Sequence, residues 1–377
     1  MYTIIGAGIG GLTTALAFEK LGIEYEIYEK ARQLVPVGAG ILLTPNALTV
    51  FEWLGILGSL MESGDSMNRI TLANAQMSPL FDYHQEDIKK EFGYHSINIH
   101  RWELQRILLD HIPSHKIHLG KSFVKFEQKE NVTSLLFEDN TTVVTDYVIG
   151  ADGINSNIRK QLFPKSTLRY SGQTCWRGVC QLDTEETLDY QHRGVEMWGD
   201  QVRFGISKIE KDTFYWFAVI LSPPNGKDVP GTIKSTLSEI FKNFHPIVQK
   251  LIDTTMEEQM IRSDLYDVKP MSHWYKENIC LIGDAAHATT PNMGQGGAQA
   301  IEDAYFLAHT INEVWTDNVF KVFQKKRMRK VNSIVRQSWM LGKTGHWKLL
   351  SGLRNRILKH TPWSLFKTKW KKVYRLE

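Results

Sequence analysis

Hydrophobic and polar positions change their period several times along the chain. Tyr2 to Ile5 form a short β-prone run, four glycines follow within Gly6–Gly11, and Leu12, Ala15, Leu16 and Leu21 then recur at helical spacing. A second β-prone run, "EYEIYEK", carries Glu29 and Lys30 at its end. Strand, glycine turn, helix and strand in that order make a βαβ unit. Residues 47–61 and 100–112 read as helices among loops, and residues 116–153 as short strands with turns at 129–131 and 138–140. From about 165 to 270 come aromatic-rich strands, "GQTCWRGVCQL", "GVEMWGDQVRFGISKI" and "TFYWFAVIL", interrupted by the helical "IKSTLSEIFKNFHPIVQKLI". Beyond residue 279 the apolar "ICLI" runs into Gly283-Asp284, and a second glycine cluster then opens another helix.

The simplest organisation is a discontinuous nucleotide-binding domain, residues 1–164 plus 271–340, interrupted by a β-rich substrate domain, 165–270. Residues 341–377 form a basic, aromatic tail. One reading of the tail is a terminal helix packing its tryptophans on the core; the other is an interfacial element touching acidic lipid or a partner.

Composition narrows the picture only a little. The 377 residues are 42% hydrophobic and 23% charged with a net charge of +4, an ordinary globular balance that names no partner. Three cysteines, none in a C-x-x-C pair, indicate neither a disulfide framework nor a metal site. The glycine-broken N-terminus lacks the basic start of a secretion signal, and no apolar run reaches the length of a membrane span. A cytoplasmic monomer or homodimer with no nucleic-acid partner is the expectation.

Gly6, Gly8 and Gly11 satisfy G-x-G-x-x-G between a strand and a helix, which lets backbone N–H groups approach a pyrophosphate at a helix N-terminus. Glu29, at the end of the second strand, is placed to accept hydrogen bonds from a ribose diol. In the insertion, a hairpin turning near Glu210 would set Arg203 opposite Phe217 and Gly205 opposite Tyr215. Arg203 and Tyr215 would then be diagonal neighbours on one face. Trp176 and Trp198 read as core, or as an apolar wall.

Three motifs in order, "IIGAGIGGL", "YVIGADGINSNIRKQL" and "ICLIGDAAHATTPNMGQGGAQAIEDA", resemble those of the single-component FAD-dependent aromatic-ring hydroxylases. These are flavoprotein monooxygenases of the p-hydroxybenzoate hydroxylase-like superfamily. "PVGAGILLTPNAL", with Arg203 and Tyr215, resembles the branch that hydroxylates urate, salicylate and 3-hydroxybenzoate.

The resemblance implies a mixed α/β fold: a Rossmann-like FAD-binding domain, an inserted β-sheet substrate domain and a C-terminal helical segment. It implies that Asp284 binds the flavin ribitol and that Gly294, Gln295, Gly296 and Gly297 lie beside the flavin pyrimidine edge. A helix N-terminus there would support negative charge on reduced flavin. Pro291 would line the oxygen-reacting side, and Asp152 and Gly153 would belong to a motif for FAD and nicotinamide. Arg101 would approach the FAD phosphates with Gln105 as helper. Ser156 and Arg159 are expected to brace their loop, and His287 to pack rather than act as a base. Arg203 and Tyr215 would meet an anionic or carbonyl-bearing ring.

The implied chemistry uses NAD(P)H and O2: reduced flavin forms a C4a-hydroperoxide that hydroxylates an electron-rich small molecule. No second G-x-G-x-x-G follows a strand, so NAD(P)H would dock transiently. Alternatives are a reductase or dehydrogenase on the same scaffold, an epoxidase or an antibiotic-modifying monooxygenase, and a redox-sensing flavoprotein that docks through its tail.

Overall fold

Five parallel strands and one antiparallel edge strand carry the nucleotide half. Their order is Tyr275–Lys276, Ile279–Leu281, Tyr147–Gly150, Tyr2–Ile5, Tyr25–Tyr28, Ile117–His118. The structure is a computed structural model that describes every residue except 37–38, 130–131, 184–188, 315–317, 349 and 377, and the side chain of residue 363. The expected turn at 129–131 and part of "PVGAGILLTPNAL" therefore lie outside the described residues. The strands are short and apolar because both faces of the sheet are covered, one by helices and the other by a three-stranded sheet, Phe123–Lys129, Val132–Phe137 and Thr142–Thr145, whose Phe137 ring stacks on Tyr28: Ile4, Ile27, Val148, Ile149, Ile279 and Leu281 are fully buried.

The two glycine clusters meet here. The helix after the first turn, Ile9–Leu21, packs against the helix after the second, Gly296–Glu313. A Cβ on Gly10 would come within 3.2 Å of the Ala300 Cβ, so small residues set this close approach. Gly22, in left-handed conformation at φ 67°, ends the first helix.

A seven-stranded sheet forms the other half, in the order Ile261–Val268, Leu168–Gln181, Thr213–Leu221, Val202–Glu210, Arg193–Trp198, Arg69–Asn74, Pro79–His84. Its last two strands come from the segment expected in the nucleotide half, so the division at residue 164 is too simple. Trp176, Val195, Met197, Phe204 and Trp216 line one face and bury Leu237, Phe241, Val248 and Leu251 of the helices Ile233–Ile240 and Ile247–Thr254. Trp176 is therefore core. The opposite face, with Arg177, Arg203, Tyr215 and Phe217, turns toward the nucleotide half.

The hairpin register differs from the expected one. Arg203 pairs with Val219, Gly205 with Phe217 and Ser207 with Tyr215, a two-residue shift. The turn falls at Lys211-Asp212, where Asp212 takes φ 55°, a conformation that aspartate tolerates better than most residues. An even shift keeps Arg203 and Tyr215 on one face. It separates them by four positions along the sheet, roughly 13 Å at the strand rise, so they are not the expected diagonal pair.

The helix Val319–Gly345 runs through the expected boundary at residue 340, and two shorter helices follow, Ser351–His360 and Trp363–Tyr374. The last is docked: Val373 and Tyr374 are buried beside Ile88 and Ile334, and Lys367 lies 3.0 Å from Asp87.

A buried polar cluster joins these helices to the second glycine junction. Glu302 and Asp303, with no exposed surface, meet Arg327, equally buried, from the Val319–Gly345 helix. Asp303 accepts from Arg327 Nε at 2.8 Å and from the Gly283 N–H at 2.9 Å, and lies 2.6 Å from His287 Nε2. Glu302 is completed by Asn46 at 2.5 Å, Gln299 at 3.0 Å and Lys330 at 2.9 Å. Burial pushes the Asp303 carboxyl up, but His287 and Arg327 outweigh it and hold it below its ordinary value.

Arg327→Met leaves two buried carboxylates under-compensated and is expected to cost about 3–5 kcal/mol in a urea titration. The folded-state value of Asp303 is depressed, so its contribution is complete above the ordinary carboxylate value of about 4 and is lost as pH falls. Stability measured down through that range is expected to fall more steeply in wild type than in Asp303→Asn.

Candidate active site

The first turn is shaped for a ligand. A Cβ on Gly6 (φ 110°) would come within 2.5 Å of the Ala151 carbonyl oxygen, and one on Gly11 would overlap the Gly6 carbonyl. These two glycines are required by the protein's own packing. Gly8 is different: a Cβ there meets no protein atom within 4 Å, and its backbone is extended. Its bareness leaves a clear approach to the N-terminus of the Ile9–Leu21 helix, as a pyrophosphate requires.

Glu29 holds the rim of this turn. Its Oε2 accepts the Ala7 N–H at 2.7 Å and its Oε1 the Ala31 N–H at 2.9 Å, which fixes the carboxylate and leaves further lone pairs for a diol. Lys30 is exposed beside it. Gln105 donates to the Ala7 carbonyl at 2.9 Å, so its amide braces the turn. Arg101, at the start of the Arg101–Leu109 helix, is exposed and has no carboxylate within ion-pair distance among the described residues. It is a cation free to meet an anion.

The second junction faces the same cleft. Gly283 takes φ 54° and ψ −140°, and a Cβ there would press on Ala300 at 3.0 Å. Asp284 follows at once; its side chain is exposed toward the cleft, with protein packed densely behind it. That crowding pushes its carboxyl above the ordinary range against the pull of His287, Arg101 and Arg159. Its Oδ1 would stand 4.0 Å from a Cβ on Gly296, where the Gly296–Glu313 helix begins. Gly294 takes φ 62° after the short turn Pro291–Met293, and a Cβ on Gly297 would press on Ile41 at 2.9 Å.

The Gln295 side chain lies elsewhere. It is fully buried, donating to Thr44 Oγ1 at 2.9 Å and accepting from Gln299 at 3.0 Å, so only its backbone is available to a cofactor. Asp152 accepts the Asn157 and Ile158 N–H groups at 2.8 and 3.2 Å, beside Gly153 at φ 77°. It thereby caps the Asn157–Leu162 helix, and burial raises its carboxyl. Ser156 Oγ accepts the Arg159 N–H at 2.9 Å, and buried Arg159 donates to the Ala285 carbonyl at 3.0 Å, bracing the second junction. His287 is buried against Trp274 and Asp303.

A second set of polar side chains lies on the sheet face above this cleft. Arg203 is only 2% exposed and its guanidinium is held by Glu196 at 3.0 Å, Gln173 at 3.2 Å and Asn292 at 2.7 Å. Asn292 in turn donates to Thr290 Oγ1 at 2.9 Å and the Ser338 carbonyl at 3.0 Å. Arg203 therefore bridges the sheet to the Pro291–Met293 turn, with a carboxylate already at its side. Trp198, on the same face, donates to Glu196 at 2.9 Å.

Arg177 has no such partner. It donates to Ser263 Oγ at 2.5 Å and engages the Tyr215 hydroxyl, and no carboxylate pairs with it among the described residues. Burial raises the Tyr215 phenol, which stays protonated, with Arg177 pulling the other way. Around them Cys175, Phe217, Val219 and Leu265 form an apolar wall, and Gly205 leaves room for the Phe217 ring. The signal for Arg177 lay in "TCWRGVC": strand parity puts Cys175 and Arg177 on the face opposite Trp176.

Two glycine substitutions separate packing from ligand binding. Gly8→Val is expected to hold the flavin-free protein within about 0.5 kcal/mol of wild type while weakening FAD by at least about tenfold, read by quenching of flavin fluorescence. Gly11→Ala is expected to lose about 1–3 kcal/mol of stability in a urea titration.

Residues 2–338 match the FAD binding domain family. The aurachin C monooxygenase/isomerase of Stigmatella aurantiaca is 34% identical over 92% of this chain and 89% of its own length. The 2-heptyl-3-hydroxy-4(1H)-quinolone synthase of Pseudomonas aeruginosa is 31% identical over 95% of this chain and 94% of its own. Among solved structures, Klebsiella pneumoniae HpxO complexed with FAD and uric acid superposes with a TM-score of 0.92 at 25% identity, covering 99% of this chain and 96% of that one. With both glycine junctions turned to one cleft and these relatives spanning nearly its whole length, the chain belongs to the FAD binding domain family and is a FAD-dependent flavoprotein monooxygenase.

Proposed function

We propose that this enzyme uses NAD(P)H and O2 to hydroxylate an electron-rich nitrogen heteroaromatic ring whose ring oxygen is held by Arg177 and Tyr215. One oxygen atom enters a C–H bond of the ring, the other leaves as water, and NAD(P)H supplies the two electrons. The observation that carries the reading is Arg177, a guanidinium without a carboxylate partner among the described residues, on the sheet face above the flavin cleft. The relatives support it: the 4(1H)-quinolone for which the Pseudomonas aeruginosa synthase is named and the uric acid bound in the Klebsiella pneumoniae structure are both nitrogen rings bearing oxygen.

FAD, gripped by the first turn, Glu29, Arg101, Asp284 and the start of the Gly296–Glu313 helix, supplies hydride acceptance and oxygen activation. The chain's own residues do the rest. Arg177 and the Tyr215 hydroxyl donate to the ring oxygen, and an oxygen with anionic character makes the neighbouring ring carbon more nucleophilic. Phe217, Val219 and Leu265 keep water from the reacting face. Arg203 acts as a positioning residue, holding Asn292 and the Pro291–Met293 turn against the sheet. The three cysteines, free and buried, support a reducing cytoplasmic setting, where NAD(P)H is regenerated.

The test is a screen of NADH and NADPH oxidation against oxygenated nitrogen heterocycles, with oxygen uptake and product mass. A product heavier by one oxygen atom is expected; substrate turnover without oxygen incorporation would favour the reductase reading and overturn this one. Arg177→Gln is expected to raise KM at least about tenfold with flavin content unchanged, and Tyr215→Phe less. Arg203→Ala is expected instead to lower product formed per NAD(P)H oxidised, with hydrogen peroxide making up the difference.

A further inference from the structure

We propose that the two terminal helices form a docking surface for an anionic lipid bilayer, set beside the substrate face of the sheet. Charge is divided unevenly along the chain. Residues 340–377 hold ten Lys or Arg and one Glu, nine net positive, whereas the preceding 339 residues hold 35 and 40, five net negative. Some of these cations serve the fold: Lys367 pairs with Asp87, Lys371 with Glu91, and Arg354 caps the preceding helix through the Thr344 and Gly345 carbonyls. Lys348, Arg356, Lys359, Lys369 and Lys372 are exposed and have no carboxylate partner among the described residues.

Apolar side chains stand among them. Leu353 and Ile357 recur at i and i+4 along the Ser351–His360 helix, Leu350 immediately precedes it, and each is at least 50% exposed; Leu365 on the next helix is 62% exposed. Exposed leucine and isoleucine interleaved with unpaired cations suit a surface that is both oily and negative, as an acidic bilayer is and water is not. Among the described residues no helix is long and apolar enough to cross a membrane, so the contact would be peripheral.

The position adds a purpose. The buried side of the same helix carries Arg354 over the Trp198 ring at 4.7 Å, and Trp198 shares Glu196 with Arg203. A Cβ on Gly345 would come within 3.0 Å of Arg203 Cδ. The exposed stripe is thus one helix thickness from the substrate face, placed to bring a membrane-dissolved ring to the enzyme. Binding to the bilayer is independent of the substrate assigned above and is measured without turnover.

The experiment is flotation of the FAD-loaded full chain with vesicles of phosphatidylglycerol and phosphatidylcholine, against vesicles of phosphatidylcholine alone. Binding to the anionic vesicles is expected to be at least about tenfold tighter and to weaken with salt. Leu353→Asn with Ile357→Asn, and separately Lys369→Gln with Lys372→Gln, should each reduce it several-fold while leaving flavin content, thermal midpoint and turnover of a water-soluble substrate unchanged. Failure to float with anionic vesicles, or equal flotation of the Leu353/Ile357 variant, would overturn the proposal. So would a concentration-dependent dimer that this variant dissolves, because a second copy would then be the occupant.

Discussion

Glu302 and Asp303, adjacent on one helix and both withdrawn from water, share Arg327 from the next helix, and the remaining oxygen of Asp303 reaches the Gly283 N–H and His287. Buried ions are costly, and such a cluster persists only because nearly every oxygen and N–H in it has a partner. Its effect is geometric. It pins the strained Gly283, so Asp284 projects into the cleft, and it fixes the Gly296–Glu313 helix, so its N-terminus points the same way. The two helices that begin at the glycine clusters then meet through Gly10 and Ala300. A long cofactor can be gripped at both ends only if those ends are held at constant distance, and this cluster holds one of them.

A second linkage connects the nucleotide half with the seven-stranded sheet. Arg203 reaches from the sheet to Asn292, which is tied to Thr290 and Ser338, so the Pro291–Met293 turn cannot shift independently of the sheet. Because Glu196 already neutralises Arg203, the residue suits a structural bridge better than an anchor for an anionic ring. Arg177, with hydroxyl partners and no carboxylate among the described residues, retains a charge that a ligand can complete. An arginine's role here follows from its neighbours rather than from its identity.

Much of this was legible in the chain. The glycine turns, the acidic residue ending the second strand and the Gly283-Asp284 junction all appear as local patterns. The bracing roles of Ser156 and Arg159 and the packing of His287 were also expected, and the structure places all three accordingly. Less legible were the recruitment of residues 69–84 into the second sheet, the hairpin register, the inward turn of Gln295 and the partnership of Glu302 and Asp303 with Arg327. The first and third depend on residues more than a hundred positions away, and the other two on the packing of one element against the next.

The sequence alone determined the backbone junctions, because a left-handed or crowded position admits glycine and little else, and that constraint belongs to the residue itself. Tertiary structure decided which charged side chains are neutralised and which stay available. That choice rests on register, burial and partners brought from far along the chain, as Asn292 is from Arg203 across 89 residues, and a two-residue shift at Lys211-Asp212 was enough to part Arg203 from Tyr215. Side-chain chemistry is local, but the electrostatic environment that gives it a task is assembled only by folding.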